Sequence, residues 1–121
     1  MSAGVRLALG LLFLLLAAGC QTARPLYFWG QYEATLYQGY SNLGKISPDE
    51  QMLKLQEDVT KAAAAGLPVH PGLHAQLGYL YYEKGQTEAA RKEFEIEKSL
   101  FPEAAVLMDR MLQKIQTSAA K

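Results

Sequence analysis

Apolar and polar positions follow two different patterns along this chain. From Leu7 to Leu16 the sequence reads LALGLLFLLL, an almost unbroken apolar run. It is short of the roughly 20 residues that a bilayer-spanning helix needs. Beyond residue 26, apolar residues recur every three to four positions, which is the period of an amphipathic helix. Trp29, Tyr32, Leu36 and Tyr40 fall on one such stripe and predict a helix over 29–40 packed by its large rings. Met52, Leu55, Val59 and Ala62–Ala63 predict a second over 48–65. Its start is signalled by Ser47-Pro48-Asp49-Glu50: a capping hydroxyl, proline at the first helical position, and Glu three residues after Ser. Gly66 and Pro68 close it, with Gly66 as the expected left-handed cap. A third helix is predicted over 71–84, with a tight turn at Gly85-Gln86. A fourth is predicted over 87–100, capped by Thr87, and Phe101-Pro102 then breaks the chain. The fifth, 103–116, should turn Val106 or Leu107, Met111, Leu112 and Ile115 inward, leaving 117–121 as a frayed tail. No segment alternates as a strand does. The expected class is all-α, with about five helices after the N-terminal segment.

The first twenty residues carry a second message. Arg6 precedes the apolar run, the small residues Ala17-Ala18-Gly19 follow it, and the chain's single cysteine, Cys20, comes next. A charged start, a short apolar core and a small-residue exit describe a secretory signal. Leu16-Ala17-Ala18-Gly19-Cys20 resembles the bacterial lipobox, with one departure: Ala17 stands where leucine is commonest. The resemblance implies cleavage before Cys20 and acylation of its thiol. Residues 1–19 would then be a signal peptide, 20–26 a lipidated tether and 27–121 the folded domain. Acyl chains anchor a protein without a spanning helix, each buried methylene contributing about 0.8 kcal/mol. Gln21-Thr22 carry no Asp, which resembles outer-membrane rather than inner-membrane lipoproteins. The expected location is the periplasmic face of the outer membrane.

Charge narrows the range of partners. The chain has 12 basic and 12 acidic residues; without Arg6 the mature form has 11 against 12, a net charge of −1. Nothing in this balance favours nucleic acid. With Cys20 modified, no cysteine remains for a disulfide, so the domain must hold by packing alone.

Residues 71–104 read PGLHAQLGYLYYEKGQTEAARKEFEIEKSLFPEA. Leu77-Gly78, Tyr81, Gly85, Ala90, Phe94 and Pro102 stand at the spacing of the tetratricopeptide repeat, a 34-residue helix–turn–helix unit that this segment resembles. Gly78 and Ala90 are small where two helices must approach closely; Leu77, Tyr81 and Phe94 fill the space around that contact. His74 stands where Trp is common and Glu97 where Ala is common. Leu43-Gly44 precede Leu77-Gly78 by 34 residues, and Pro68 precedes Pro102 by the same interval. One repeat cannot bury its own apolar face. The first two helices therefore read as a degenerate hairpin beside it and the last helix as a cap. In this family the first helix of a repeat lines a concave groove, which here would present Ala75, Tyr79, Tyr82 and Glu83 to a protein partner.

A catalytic constellation is missing from the sequence: no G-x-S-x-G, no HExxH, no phosphate-cradling glycine loop and no spare thiol. His70 and His74 lie four apart but with Pro71 and Gly72 between them. They read as a loop and a helix-start histidine, a poor metal site without a carboxylate or thiol nearby in the sequence. Glu88, Glu93, Glu95 and Glu97 interleave with Arg91, Lys92 and Lys98 and read as a solvated face, Glu88 pairing with Arg91 or Lys92. No cofactor, metal or enzymatic activity is expected.

The lipobox, the aromatic stretch Tyr27-Phe28-Trp29-Gly30-Gln31-Tyr32-Glu33 and the repeat-like second half together resemble a family of small uncharacterised Gram-negative lipoproteins. That resemblance implies neighbours such as a lipoprotein similar to the curli secretion channel, and hence an envelope assembly. The expected function is a protein–protein interaction or assembly module in a cell-envelope complex; the alternative is an activator of a peptidoglycan-remodelling enzyme.

Overall fold

The structure is a computed structural model that describes residues 2–17, 23–41 and 46–119. Cys20 and the Leu43-Gly44 pair of the 34-residue echo lie outside the described residues. The chain is all-α. Its helices are α1 (Ala3–Ala17), α2 (Tyr32–Ser41), α3 (Pro48–Ala65), α4 (Leu73–Glu83), α5 (Thr87–Leu100) and α6 (Ala105–Ala119), with a 3₁₀ turn at Pro102–Ala104 before the last. Five of the six follow residue 20. Among the described residues the extended pairing is a single parallel bridge between Phe28 and Val69. No helix among them is long and apolar enough to cross a membrane.

Helix boundaries follow local chemistry. Ser47 Oγ accepts the Glu50 amide at 3.1 Å, and Pro48 sits in the first turn, where its missing N–H costs nothing. At the other end Gly66 takes φ +64°; its N–H donates to Ala63 and that of Leu67 to Ala62, which satisfies the last carbonyls of α3. Gly85, at φ +74°, closes α4 in the same way, with the Gln86 N–H reaching the Tyr81 carbonyl. α5 starts at Thr87 with no side-chain cap, so the expected capping role of Thr87 is not realised. α6 continues through the expected frayed tail to Ala119, the Thr117 and Ser118 hydroxyls donating back to Gln113 and Lys114 carbonyls.

α4 and α5 form the closest helix pair. A Cβ built on Gly78 would lie 2.5 Å from the Phe94 ring, so glycine is required for the ring to seat against the backbone. Phe94 and Ala90 are almost wholly enclosed. Two apolar clusters flank this contact. Met52, Leu55, Ala62, Val69, Leu73, Leu77 and Leu80 fill the space between α3 and α4. Ala90, Phe94, Met108, Leu112 and Ile115 fill the space between α5 and α6. Each fully buried large side chain contributes about 1.5–3 kcal/mol.

Two expectations need correction. α6 buries Met108, Leu112 and Ile115, whereas Val106 and Leu107 are exposed. The 3₁₀ turn at Pro102–Ala104 rotates the start of α6, so its inward stripe begins at Met108. The aromatic stripe is also less buried than a packed helix requires. Trp29 lies outside α2 and is 47% exposed, Tyr40 is 66% exposed, and the buried residue of α2 is Thr35.

Candidate functional site

The residues expected to line a groove all lie on α4 or next to its end, but they do not share one surface. Tyr79 is partly exposed, and its hydroxyl donates to Glu83 Oε1 at 2.7 Å. That bond and the adjacent carboxylate hold the Tyr79 phenol above its ordinary titration range. Tyr79 forms a ridge between two open hollows. One, of about 460 Å³, lies between the end of α2, the start of α3 and the last turns of α4; Tyr40, Gln51, Gln76 and Glu83 line it. The other, of about 290 Å³, lies between the starts of α2 and α4 and the inner side of α6; Tyr32, Ala75, Leu107 and Met111 line it. Gln76 and Tyr79 border both, so the hollows form one interrupted groove with α4 as its floor. Tyr82 is turned away from it. Its hydroxyl meets Ser118 Oγ at 3.2 Å and Lys114 Nζ sits 5.7 Å from its ring centroid, so it fastens α6 to α4.

Ala75, Tyr79 and Glu83 are therefore brought together, and Gln76, Tyr40, Leu107 and Met111 join them. The last two lie far away in sequence, and periodicity alone predicts them to be inward on α6. Exposed Leu107 and half-buried Met111 give one wall apolar contact area. Gln51, Gln76 and Glu83 give the floor and far end hydrogen-bonding groups.

Beneath the groove runs a belt of buried polar side chains that anchors its walls. Glu97 is 2% exposed; its Oε1 accepts the Gly72 amide at 2.6 Å and its Oε2 the Ala75 amide at 3.2 Å. Gly72 precedes α4 and carries no side chain to cap it. A carboxylate from α5 thus caps α4 across the hairpin, satisfying amides that the helix itself leaves open and lying at the positive end of its dipole. Glu93 accepts from His74 Nδ1 at 2.7 Å, both largely enclosed. These contacts correct the reading of 88–97 as a solvated acidic face: Glu88 and Glu95 are exposed, with Glu88 3.7 Å from Arg91, but Glu93 and Glu97 point inward. They also supply His74 with the carboxylate that its sequence neighbourhood lacks.

Asp58 and His70 do for the aromatic segment what Glu97 does for α4. Asp58 Oδ2 accepts the Gln31 amide at 2.7 Å, and its carboxylate occupies the space that a Cβ on Gly30 would fill. Gly30 takes φ +49°, which turns the chain into α2 over the carboxylate. His70 is enclosed, with Nδ1 donating to the Pro71 carbonyl at 2.9 Å. Trp29 stacks on its ring at 4.3 Å with an interplanar angle of 2°, and Tyr32 packs on it at 4.1 Å. Burial, together with the Glu97 carboxylate, raises the Tyr32 phenol above its ordinary titration range. Thr35 Oγ1, Asp58 Oδ1 and His70 Nε2 are buried without a hydrogen-bond partner among the described residues. No group of three or more His, Cys, Asp or Glu among those residues is arranged to hold a metal ion.

Among the described residues the arrangement offers ring area, apolar contact and hydrogen-bonding groups to an extended or helical surface. No curated protein and no solved structure matches this chain. Residues 26–111, spanning the aromatic segment, both hollows and the first half of α6, match a domain of unknown function, DUF4810, and the chain belongs to that family.

Proposed function

We propose that this protein is a lipoprotein, acylated at Cys20 on the periplasmic face of the outer membrane, whose tetratricopeptide-like hairpin holds a partner protein of a cell-envelope complex. The observation that carries the reading is the groove along α4. Its Tyr79 ridge, apolar wall of Leu107 and Met111 and polar floor of Gln51, Gln76 and Glu83 combine ring area, apolar contact and hydrogen-bonding groups. Interfaces draw on such a mixture, and an amphipathic helix or extended segment fits between flanking helices in this way. The close Gly78–Phe94 approach supports the tetratricopeptide likeness. The lipobox supports the anchor. The partner is another envelope protein, such as a lipoprotein similar to the curli secretion channel. The role is non-enzymatic and needs no cofactor.

The test is photo-crosslinking in intact cells, with the reactive residue at position 79 in the groove and at Lys61 on the exposed side of α3 as the control. Adducts to an envelope assembly component at position 79 but not at 61 are expected. Equal or absent labelling at both positions would contradict the groove, and capture of a wall-remodelling enzyme would favour the activator role instead.

A further inference from the structure

The connecting segments at one end of the helical domain carry no charged side chain. Three segments converge there. Tyr27 packs on Phe101 with ring centroids 6.1 Å apart, Phe28 donates to the Pro68 carbonyl at 2.8 Å, and Trp29 stacks on His70. The segments are 26–31 (LYFWGQ), 66–72 (GLPVHPG) and 99–102 (SLFP); none of these residues is Asp, Glu, Lys or Arg, although a fifth of the chain is charged. The other end, where the Lys84–Asp49 ion pair joins 46–50 to 83–88, carries Asp49, Glu50, Glu83, Lys84 and Glu88 when its helix turns are included; the adjoining turns at the first end carry Glu33, Lys98 and Glu103. Among the described residues nothing lies over these segments. Leu26 is 81% exposed, Leu100 50% and Trp29 47%, and Pro68 and Pro102 are exposed beside them.

This end is also where the tether enters. Five residues separate Cys20 from Leu26, six backbone steps with a reach of at most about 22 Å when fully extended. We infer that the uncharged end rests in the headgroup region of the bilayer, with Leu26, Trp29 and Leu100 inserted at its apolar boundary; this rests on the lipoprotein reading of Cys20. Tryptophan favours that boundary because its ring is apolar and its N–H can remain hydrated. The connecting segments at this end bring no charged side chain of their own into the boundary. The Asp58 and Glu97 carboxylates beneath them are already enclosed and bonded to backbone amides, and exposed Glu103 stays at the headgroup level, where Arg24 in the tether suits the phosphate layer. α2 and α4 both start at this end, so the groove runs outward from the membrane and its Tyr40–Glu83 end lies farthest from it.

Trp29 is the sole tryptophan, which makes it a native reporter. The acylated mature protein would be reconstituted into phosphatidylethanolamine–phosphatidylglycerol vesicles containing lipids brominated near the headgroup end of their chains. Flotation and intact mass would be measured on the same sample. The expected result is an acylated protein that floats with the vesicles and loses most of its Trp29 emission to the brominated lipid. Placing Lys at both Leu26 and Leu100, exposed positions that leave the core untouched, should weaken that quenching without releasing the protein. An acylated, floating protein whose Trp29 ignores brominated lipid and stays open to acrylamide would overturn the inference while leaving the anchor standing. Trp29 shielded from acrylamide in native envelopes but open in pure vesicles would mean that a protein covers this end, and would also overturn it. A chain with no acyl mass that fails to float would overturn the anchor, and the inference with it.

Discussion

Glu97 offers the sharpest quantitative test of how the groove is built. Alanine is common at this position in the repeat that residues 71–104 resemble, so a comparison of patterns predicts that Glu97→Ala is neutral or stabilising. The structure predicts the opposite. Truncation leaves the amides of Gly72 and Ala75 without their acceptor at a part-buried helix start. An unsatisfied buried donor costs about 1–3 kcal/mol, and loss of a cap about 0.5–2 kcal/mol. These describe the same bonds and do not add fully; with the lost charge–dipole interaction the sum is about 3 kcal/mol. For a domain of this size that lowers the melting temperature by roughly 12 °C or more. Glu97→Gln keeps one acceptor oxygen and loses the other together with the charge, so its cost should be about half. The assay is urea unfolding of a chain spanning residues 20–121, followed by circular dichroism, with an unchanged slope showing that the unfolded state is not altered. A Glu97→Ala protein as stable as the wild type, or a Gln variant worse than Ala, would refute the capping argument.

Gly30→Ala should destabilise by about 3 kcal/mol, since left-handed backbone costs roughly 1–2 kcal/mol with a Cβ and the displaced Asp58 would release the Gln31 amide. In that background Asp58→Ala should cost less than it does alone, which a double-mutant cycle checks. Burial and Glu97 raise the Tyr32 phenol in the folded state, so its contribution is fully present below about pH 10 and is lost as pH rises through the folded value. Tyr32→Phe should therefore gain stability relative to the wild type as the solution is taken above that pH; a variant that loses ground to the wild type there contradicts the assignment.

Much of the backbone was legible because it depends on short-range chemistry. Ser47-Pro48 and Gly66 mark the ends of α3 through bonds to residues at most five away, and Gly85 does the same for α4. The Gly78–Phe94 approach was legible only through the resemblance of 71–104 to the tetratricopeptide pattern, which sets a small residue of one helix against the next. The failures share a different cause. Glu97 and Glu93 look like members of a charged surface until α4 is brought alongside, because their partners lie 19 to 25 residues away. Trp29 fits the stripe of α2 by number, yet Gly30 turns the chain between them and His70 captures the ring. On α6, a single 3₁₀ turn exchanges Leu107 for Met108 in the core and gives Leu107 to the groove. Tyr82 has helical spacing close to that of Tyr79, and only the position of α6 decides that it serves as a fastening rather than as groove surface.

The location and the proposed role both depend on how the chain begins in the cell. Intact-mass and N-terminal peptide analysis of the protein isolated from its own envelope addresses this directly. The predicted result is a chain that starts at Cys20 and carries the mass of its acyl groups there. A protein that keeps Met1, or that starts beyond residue 20 with no acyl mass, would contradict the account.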